Sequence, residues 1–390
     1  MKYLRWLLFP FSLLYGLVII IRNWLYDAGV FKSRKFNIPV ISIGNLEVGG
    51  AGKSPMTEYL IRLFKDNYKL ATLSRGYGRT TKGYICVLSE ESKIKSQESR
   101  NQDLSLPINH SPLTAHHPIA IGSPLATQIG DEPAQFKHKF PDITVAVSES
   151  RAAGITKLLP DHQLVIMDDA YQHRAVEPGL SILLFDYNKL QQPHFLLPAG
   201  DLREPFSGRW RAQIIVVNKC PPELTADQQA VTAEKISPLP YQQLFFAAIA
   251  YQPLQDLEGR PVNRVIDKDA TVFLLTGIAN AKPLTDYLSG FTPFIIHHNY
   301  PDHHQFTLKN ITKLAAEYLA CPSQNKIVIT TEKDAQRLEE PRLKSGLPQL
   351  ADVPIFVLPI RVEFLNGTGH RFDQLITDYV REHSAYNSIH

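Results

Sequence analysis

The sequence predicts an α/β protein with a mostly parallel sheet, and three observations carry that expectation. Short apolar strands alternate with amphipathic segments through most of the 390 residues, a rhythm that builds parallel strands covered on both faces. A β-branched run, Ile38–Ile43, leads straight into a glycine loop and a helix start at Lys53. A second series of strands and helices begins near residue 244. The chain is therefore expected to divide into a larger unit over 31–243 and a smaller α/β unit over 244–390 with extended linker strands, after an N-terminal helix over 1–30.

Composition supports a folded chain. With 44% hydrophobic and 20% charged residues a large core can form. A net charge of +3 is too mild for a nucleic-acid partner, which shows a concentrated basic stripe. Cys86, Cys220 and Cys321 are far apart and form no metal-ligand spacing, as expected of reduced, buried thiols.

The N-terminal element joins a basic start to an uncharged stretch from Trp6 to Ile21, with Arg22, Lys32, Arg34 and Lys35 behind it. Those 16 residues would give a helix of about 24 Å, short of the roughly 20 residues a span requires. Positive flanks, with Trp6, Tyr15, Trp24 and Tyr26 as interfacial anchors, predict a helix lying in a membrane surface on the cytoplasmic side, with a true span as the main alternative and a cleaved signal, opposed by Arg22-Asn23-Trp24, as the lesser one.

The glycine loop Gly44–Pro55 has the layout of a phosphate cradle. Gly49, Gly50 and Gly52 let backbone N–H groups turn toward phosphate oxygens, and Lys53 reaches the β- and γ-phosphates. The Ser54 hydroxyl can ligand Mg²⁺ at a helix N-terminus whose dipole favours anions. The strict spacing fails at its first position, where Glu47 stands in place of glycine. The larger unit is thus expected to be of the P-loop NTPase type, binding ATP. The helix after the cradle carries Leu60, Leu63 and Phe64 as a core stripe. Further strands are expected at Leu70–Leu73, Ile143–Val147, Leu164–Met167, Ile182–Phe185 and Ile214–Val217. The polar stretch Glu90–Pro118 reads as a surface loop insertion.

In the smaller unit, strands are expected near Val272–Leu275, Phe294–Ile296 and Ile327–Ile329, with helices near Lys282–Leu288 and Ile311–Leu319. The extended Phe245–Tyr251 is expected to lead into this unit and to pair with Ile355–Phe364.

Chemistry beyond the cradle centres on Leu164-Val165-Ile166-Met167-Asp168-Asp169. Asp168 falls at the C-terminal edge of a central strand, where a carboxylate can hold Mg²⁺. Asp169 points to the other face of an extended strand and so takes a separate role. Arg75 and Arg79, in a glycine loop after the second strand, suit a bidentate phosphate grip. Glu204 suits either the metal or an ion pair. Asn218-Lys219 hints at a guanine-type element, but position 221 is Pro, which favours ATP.

Eight ordered motifs run along the chain, beginning with Gly44-Asn45-x-x-Val48-Gly49-Gly50-x-Gly52-Lys53-Ser54-Pro55, Ser74-Arg75-Gly76-Tyr77-Gly78-Arg79 and Gly130-Asp131-Glu132-Pro133. They continue through Asp168-Asp169-x-x-Gln172-His173-Arg174, Leu202-Arg203-Glu204-Pro205, Thr276-Gly277-Ile278-Ala279, Pro301-Asp302-His303 and Thr331-Glu332-Lys333-Asp334. In this set, which runs to about residue 365, the chain resembles the tetraacyldisaccharide 4′-kinase, or lipid A 4′-kinase, family. Ala170-Tyr171 stands where Gly-Phe is usual in that family, and the 90–118 stretch looks longer than typical. The last motif has no chemistry that spacing alone reveals.

The resemblance implies a kinase at the cytoplasmic face of the bacterial inner membrane, using ATP and Mg²⁺ to phosphorylate the 4′-hydroxyl of tetraacyldisaccharide 1-phosphate and so form lipid IVA. It implies a dyad in which Asp131 orients His303 as the base, assembled across two units, with Asp169 in the catalytic set. Substrate contacts are implied for Arg75, Arg79, Glu132, Gln172 and His173, and metal contacts for Ser54, Asp168 and Glu204. The partners implied are the lipid and the membrane surface, with no obligate protein partner. Read without the family, the residues also allow a membrane-surface NTPase acting as a switch or metal-insertion chaperone. A switch needs no catalytic histidine in a second unit, and such a chaperone usually carries a Cys/His motif that this sequence lacks.

Overall fold

A computed structural model describes residues 2–89, 125–338 and 353–387. The insertion expected over 90–118 lies outside the described residues.

The larger unit is a nine-stranded sheet. Its strands in chain order begin with β1 (Val40–Asn45), β2 (Leu70–Ser74), β3 (Ile85–Val87) and β4 (Thr144–Val147). They continue with β5 (Leu164–Met167), β6 (Leu180–Asp186), β7 (Ile214–Asn218) and β8 (Gln243–Tyr251). A four-stranded parallel sheet follows, made of β9 (Thr271–Thr276), β10 (Ile295–Asn299), β11 (Lys326–Thr330) and β12 (Ile355–Val357), in the order β10-β9-β11-β12. The chain then returns to the large sheet as β13 (Ile360–Phe364), giving the order β13-β8-β7-β6-β1-β5-β2-β4-β3. All pairings in the large sheet are parallel except β13 on β8 and β3 on β4. Every residue of β1, β5, β6 and β7 is buried, which is why these strands read as unbroken apolar runs.

Among the described residues the helices of this unit are α1 (Lys2–Asp27), α2 (Lys53–Phe64), α3 (Leu125–Ile129), α4 (Asp131–Lys139), α5 (Arg151–Leu158) and α6 (Ala226–Ile236). In the smaller unit α7 (Lys282–Ser289), α8 (Leu308–Ala320) and α9 (Glu332–Leu338) follow, and α10 (Gly369–Asn387) closes the chain. Leu60 and Phe64 are buried and Leu63 packs against the same core, so the stripe expected on α2 is a core stripe.

The boundary expected at residue 244 needs correction. β8 extends the large sheet by pairing in parallel with β7, Ile214 opposite Gln243. β13 pairs antiparallel with β8, Ile360 opposite Tyr251, which is the pairing expected from sequence but in the other sheet. Phe372, Ile376 and Val380 of α10 share one core with Met56, Leu60 and Phe64 of α2. The smaller sheet is thus inserted between β8 and β13. Periodicity identifies a strand but carries no signal for which sheet receives it.

α1 runs unbroken through Pro10, longer than the expected Trp6–Ile21 stretch, and Leu7–Asp27 is long and apolar enough to cross a membrane. It nevertheless lies against the body. Ser12 Oγ donates to the Leu196 carbonyl at 3.0 Å, the Tyr15 hydroxyl to the Arg203 carbonyl at 2.7 Å and Arg22 to the Gln172 carbonyl at 2.7 Å. Tyr15 and Tyr26 therefore face protein groups, Tyr26 lying under the Arg22 and Arg174 guanidinium groups. The opposite face exposes Leu7, Phe11, Leu14, Leu17, Val18 and Ile21, with Trp24 beside them. The Trp6 side chain lies outside the described residues.

Candidate active site at the seam between the two units

The cradle loop joins β1 to α2. Gly52 adopts φ +87°, and a Cβ there would sit 2.0 Å from the Asn218 amide nitrogen, so the position tolerates only glycine. Loop carbonyls are held from the sheet side. Lys189 donates to the Val48 carbonyl at 2.6 Å, Asn218 to that of Ala51 at 3.3 Å, and Lys219 to that of Gly50. Lys53 Nζ donates to Asn45 Oδ1 at 3.2 Å and lies 3.6 Å from Asp169 Oδ1. Ser54 sits in the first turn of α2, partly exposed. Glu47, at the position where glycine is usual, is buried without a hydrogen-bond partner, and burial pushes its carboxyl up to about 7.

The two adjacent aspartates behave oppositely. Asp168 follows β5, beside β1, and is buried, accepting from Thr57 Oγ1 at 3.0 Å. Burial, then the charges of Asp169 and Glu132, push its carboxyl up to about 7. Asp169 takes φ +45° and accepts from Arg203 at 3.0 and 3.3 Å. Burial raises its carboxyl, but Lys53 and Arg203 outweigh that and hold it below the ordinary value. A buried carboxylate pushed up by its neighbours is a place where a cation relieves repulsion. Among the described residues no group of three or more His, Cys, Asp or Glu is arranged to hold a metal. One carboxylate, a hydroxyl and substrate phosphates are nevertheless the donor set that suits Mg²⁺.

The larger and smaller units meet along α4 and α9. Asp131 opens α4 behind Gly130, and its Oδ2 lies 2.9 Å from Nδ1 of His303. Burial raises the Asp131 carboxyl, but the hydrogen bond from His303 and the charges of Arg337 and Lys333 hold it below its ordinary value. His303 takes φ +59° and packs obliquely against Tyr77, with ring centroids 5.7 Å apart. The other ring nitrogen, Nε2, lies 3.1 Å from Lys333 Nζ.

Several expected roles meet other geometry. Both Glu204 oxygens accept from Arg211 at 2.8 Å, and Gln172 and Asn23 add donors at 3.0 and 3.3 Å, so the ion pair is formed, with Arg211. A carboxylate so occupied is poorly placed to ligand a metal. Arg79 donates to Glu149 and, at 2.8 Å, to the Gly83 carbonyl, which leaves its fork tying a loop together. Arg75 is exposed and Glu132 lies 3.3 Å from Lys333. Gln172 donates to the Asn45 carbonyl at 2.8 Å. His173 is pushed down to about 4 by burial and then by Arg151, Arg75 and Arg22, so it stays neutral in a strongly cationic pocket. The neighbouring histidines are not gathered on one centre: His297, His298 and His304 face Thr276, Glu317 and Asn310 respectively, and His304 also stacks on Tyr300.

Sequence reasoning missed Arg22, Arg151 and Lys333. The motif Thr331–Asp334 was the available signal. Asp334 accepts from the Gly277 amide at 3.1 Å and from Arg337 at 2.5 Å, Glu332 receives Lys139, and Lys333 reaches His303. The motif therefore fastens the smaller unit to α4.

Comparison with known proteins gives four consistent likenesses. A family model described as tetraacyldisaccharide-1-P 4′-kinase matches residues 4–99 and 114–381. A tetraacyldisaccharide 4′-kinase of Phocaeicola vulgatus is 39% identical over 393 residues, covering 99% of this chain and 97% of its own. One from Flavobacterium johnsoniae is 38% identical over 385 residues, covering 98% and 99%. The crystal structure of the "apo" form of LpxK from Aquifex aeolicus, in complex with ATP, superposes with a TM-score of 0.68 at 27% identity, over 97% of this chain and 99% of that one.

Proposed function

The chain belongs to the tetraacyldisaccharide-1-P 4′-kinase family, and from that premise we propose how its residues share the reaction. The chain is an ATP-dependent lipid A 4′-kinase, moving the γ-phosphate of ATP onto the 4′-hydroxyl of a tetraacyldisaccharide 1-phosphate to form lipid IVA. The switch or chaperone alternative is not favoured.

Phosphoryl transfer needs positioning and charge stabilisation more than covalent chemistry. Gly49, Gly50, Gly52 and Lys53 receive the triphosphate. Ser54 and Asp168 would hold Mg²⁺, which when bound neutralises charge on the β- and γ-phosphate oxygens. Asp169 keeps Lys53 and Arg203 aligned. Arg22, Arg75 and Arg151 around neutral His173 supply positive charge for the acceptor's own phosphate. Asp131 and His303 act on the hydroxyl: its proton passes to Nε2, the freed oxygen pair attacks the γ-phosphorus, and the bond to the β–γ bridging oxygen breaks, releasing ADP. Glu132 contributes to the field at Asp168, which supports a dyad adjacent to the cradle.

The location follows from α1. A helix hydrogen-bonded to the body from Ser12 to Arg22 is poorly suited to leave it and span a bilayer, while its free face is apolar. We therefore place α1 in the interface of the inner membrane, with the cradle on the cytoplasmic side.

The observation that carries this reading is the 2.9 Å contact between His303 and Asp131, a base in one unit oriented by a carboxylate in the other. Incubation with γ-labelled ATP and a panel of lipid A precursors tests it. Label should enter tetraacyldisaccharide 1-phosphate at the 4′ position. Label appearing only in inorganic phosphate would overturn the reading.

A further inference from the structure

The hydrogen bonds around His303 fix its protonation pattern. Asp131 is a carboxylate and only accepts, so Nδ1, at 2.9 Å, carries the proton. Lys333 is an ammonium and only donates, so Nε2, at 3.1 Å, presents its lone pair. With Nδ1 donating to Asp131 and Nε2 accepting from Lys333, the ring takes the tautomer a base requires; its basic nitrogen is marked by a donor, with Asp302 Oδ2 3.7 Å away.

We propose that Lys333 is a positioning residue for the transfer reaction, holding His303 in its base-ready form by occupying Nε2 until the acceptor hydroxyl displaces it. This rests on the reading of His303 as the base.

Asp131 alone does not suffice for that task. A buried carboxylate beside an imidazole favours the protonated, charged ring, and a ring that carries a proton on Nε2 cannot accept one. A cation on the far side opposes this. Among the described residues, the charged and titratable groups facing His303 and its partners are Asp131 and Glu132 from α4, Lys333 and Arg337 from α9, Asp302 from its own loop and Tyr77 from the loop after β2. Three are carboxylates and two are cations. Arg337 lies 3.9 Å from Asp131 Oδ2 and is committed to Asp334 and to the carbonyls of Gly277 and His304, leaving Lys333 as the cation at Nε2.

The ammonium also has somewhere to go. Glu132 Oε1 lies 3.3 Å away and Asp302 Oδ1 3.8 Å away. When a substrate O–H arrives at Nε2, Lys333 keeps two carboxylate partners, so displacement exposes no unpaired charge. Lys333 also ties α9 to α4 through Glu132, so the contact at Nε2 forms where the two units meet.

The test is the pH dependence of kcat for full-length Lys333→Met and Lys333→Arg, with His303→Ala as the reference for the base itself. Lys333→Met should lose at least tenfold in kcat near neutral pH, with its acid limb moved to higher pH and activity recovering as pH rises. KM for ATP should hold, and Lys333→Arg should keep the parent's acid limb. Nitrogen NMR of ¹⁵N-histidine-labelled protein, assigned by difference from His303→Ala, adds a readout independent of turnover: Nε2 should be bare in the parent and protonated in Lys333→Met at the same pH. A Lys333→Met profile that merely scales the parent's at every pH, or an unchanged His303 signal, would overturn the proposal. Full activity in His303→Ala would instead defeat the underlying assignment of the base.

Discussion

Nδ1 of His303 and Oδ2 of Asp131 lie 2.9 Å apart although 172 residues separate them in sequence. The contact bridges the nine-stranded sheet unit and the inserted four-stranded one. It joins the first turn of α4 to the loop after β10, so on the proposed reading of His303 as the base, action on the hydroxyl depends on the seam that brings the units into register.

The cradle makes the plainest prediction. Lys53→Ala and Asp168→Ala should each lower kcat by about 10²-fold or more, because each removes stabilisation of charge that develops in the transition state. Steady-state turnover on protein verified as folded by circular dichroism checks it. Near-parental turnover in either variant would sink the assignment.

Asp168 also sets a pH dependence. Its carboxyl is raised from 3.8 to about 7 in the fold, so its contribution to stability is present at low pH and lost as pH rises between those values. Glu47 is raised in the same sense, and comparison with Asp168→Asn isolates Asp168. Without Mg²⁺, Asp168→Asn should melt roughly 2 °C or more above the parent at pH 8, with that advantage gone by about pH 4. Apparent Mg²⁺ affinity of the parent should tighten as pH rises through about 7. Calorimetry with and without metal reads both, and a pH-independent difference would contradict the burial argument.

The apolar face of α1 can be separated from its docking face. Substituting Leu14, Leu17, Val18 and Ile21 by serine leaves the contacts of Ser12, Tyr15 and Arg22 in place. This variant should leave the membrane fraction and lose activity on vesicle-borne lipid, yet retain ATP binding. Unaltered flotation with vesicles would show that α1 is not the anchor. Deleting residues 1–24 is the blunter experiment, since it also removes Arg22 and Asn23 from the site.

At the seam, Lys139 bridges Glu58 and Glu332, two carboxylates that are almost wholly buried. Lys139→Met should cost on the order of 3 kcal/mol, chiefly at Glu332, which keeps the Ile360 amide but loses its cation, while Glu58 retains Arg62 and Gln135. The double variant Lys139→Met/Glu332→Gln should recover part of that loss in chemical denaturation. No recovery would place the bridge outside the seam's energetics.

How much of this was legible depended on the kind of signal each residue leaves. Leu164–Met167 is a buried strand and reads as one, and Lys53, Ser54 and Asp168 are placed by the fixed geometry of strand, loop and helix. The allegiance of β8 was not legible, because an apolar strand carries no mark of the sheet it will join. Glu204 and Arg79 carry charges that suit a metal or a phosphate, yet Arg211 and Glu149 claim them, and such pairings depend on loops whose course the sequence leaves open. Lys333 lay inside a recognised motif whose spacing says nothing until α9 is seen against α4. The Asp131–His303 pair was expected only through family resemblance.

The central claim is that Asp131 and His303 act as one unit on the acceptor hydroxyl. A double-mutant cycle on kcat, using His303→Ala, Asp131→Asn and their combination with saturating ATP and lipid, tests it most directly. The account predicts that the double variant falls little further than the worse single, since the second loss removes a partner already without function. Losses that multiply would contradict it, leaving His303 and Asp131 as neighbours with separate tasks.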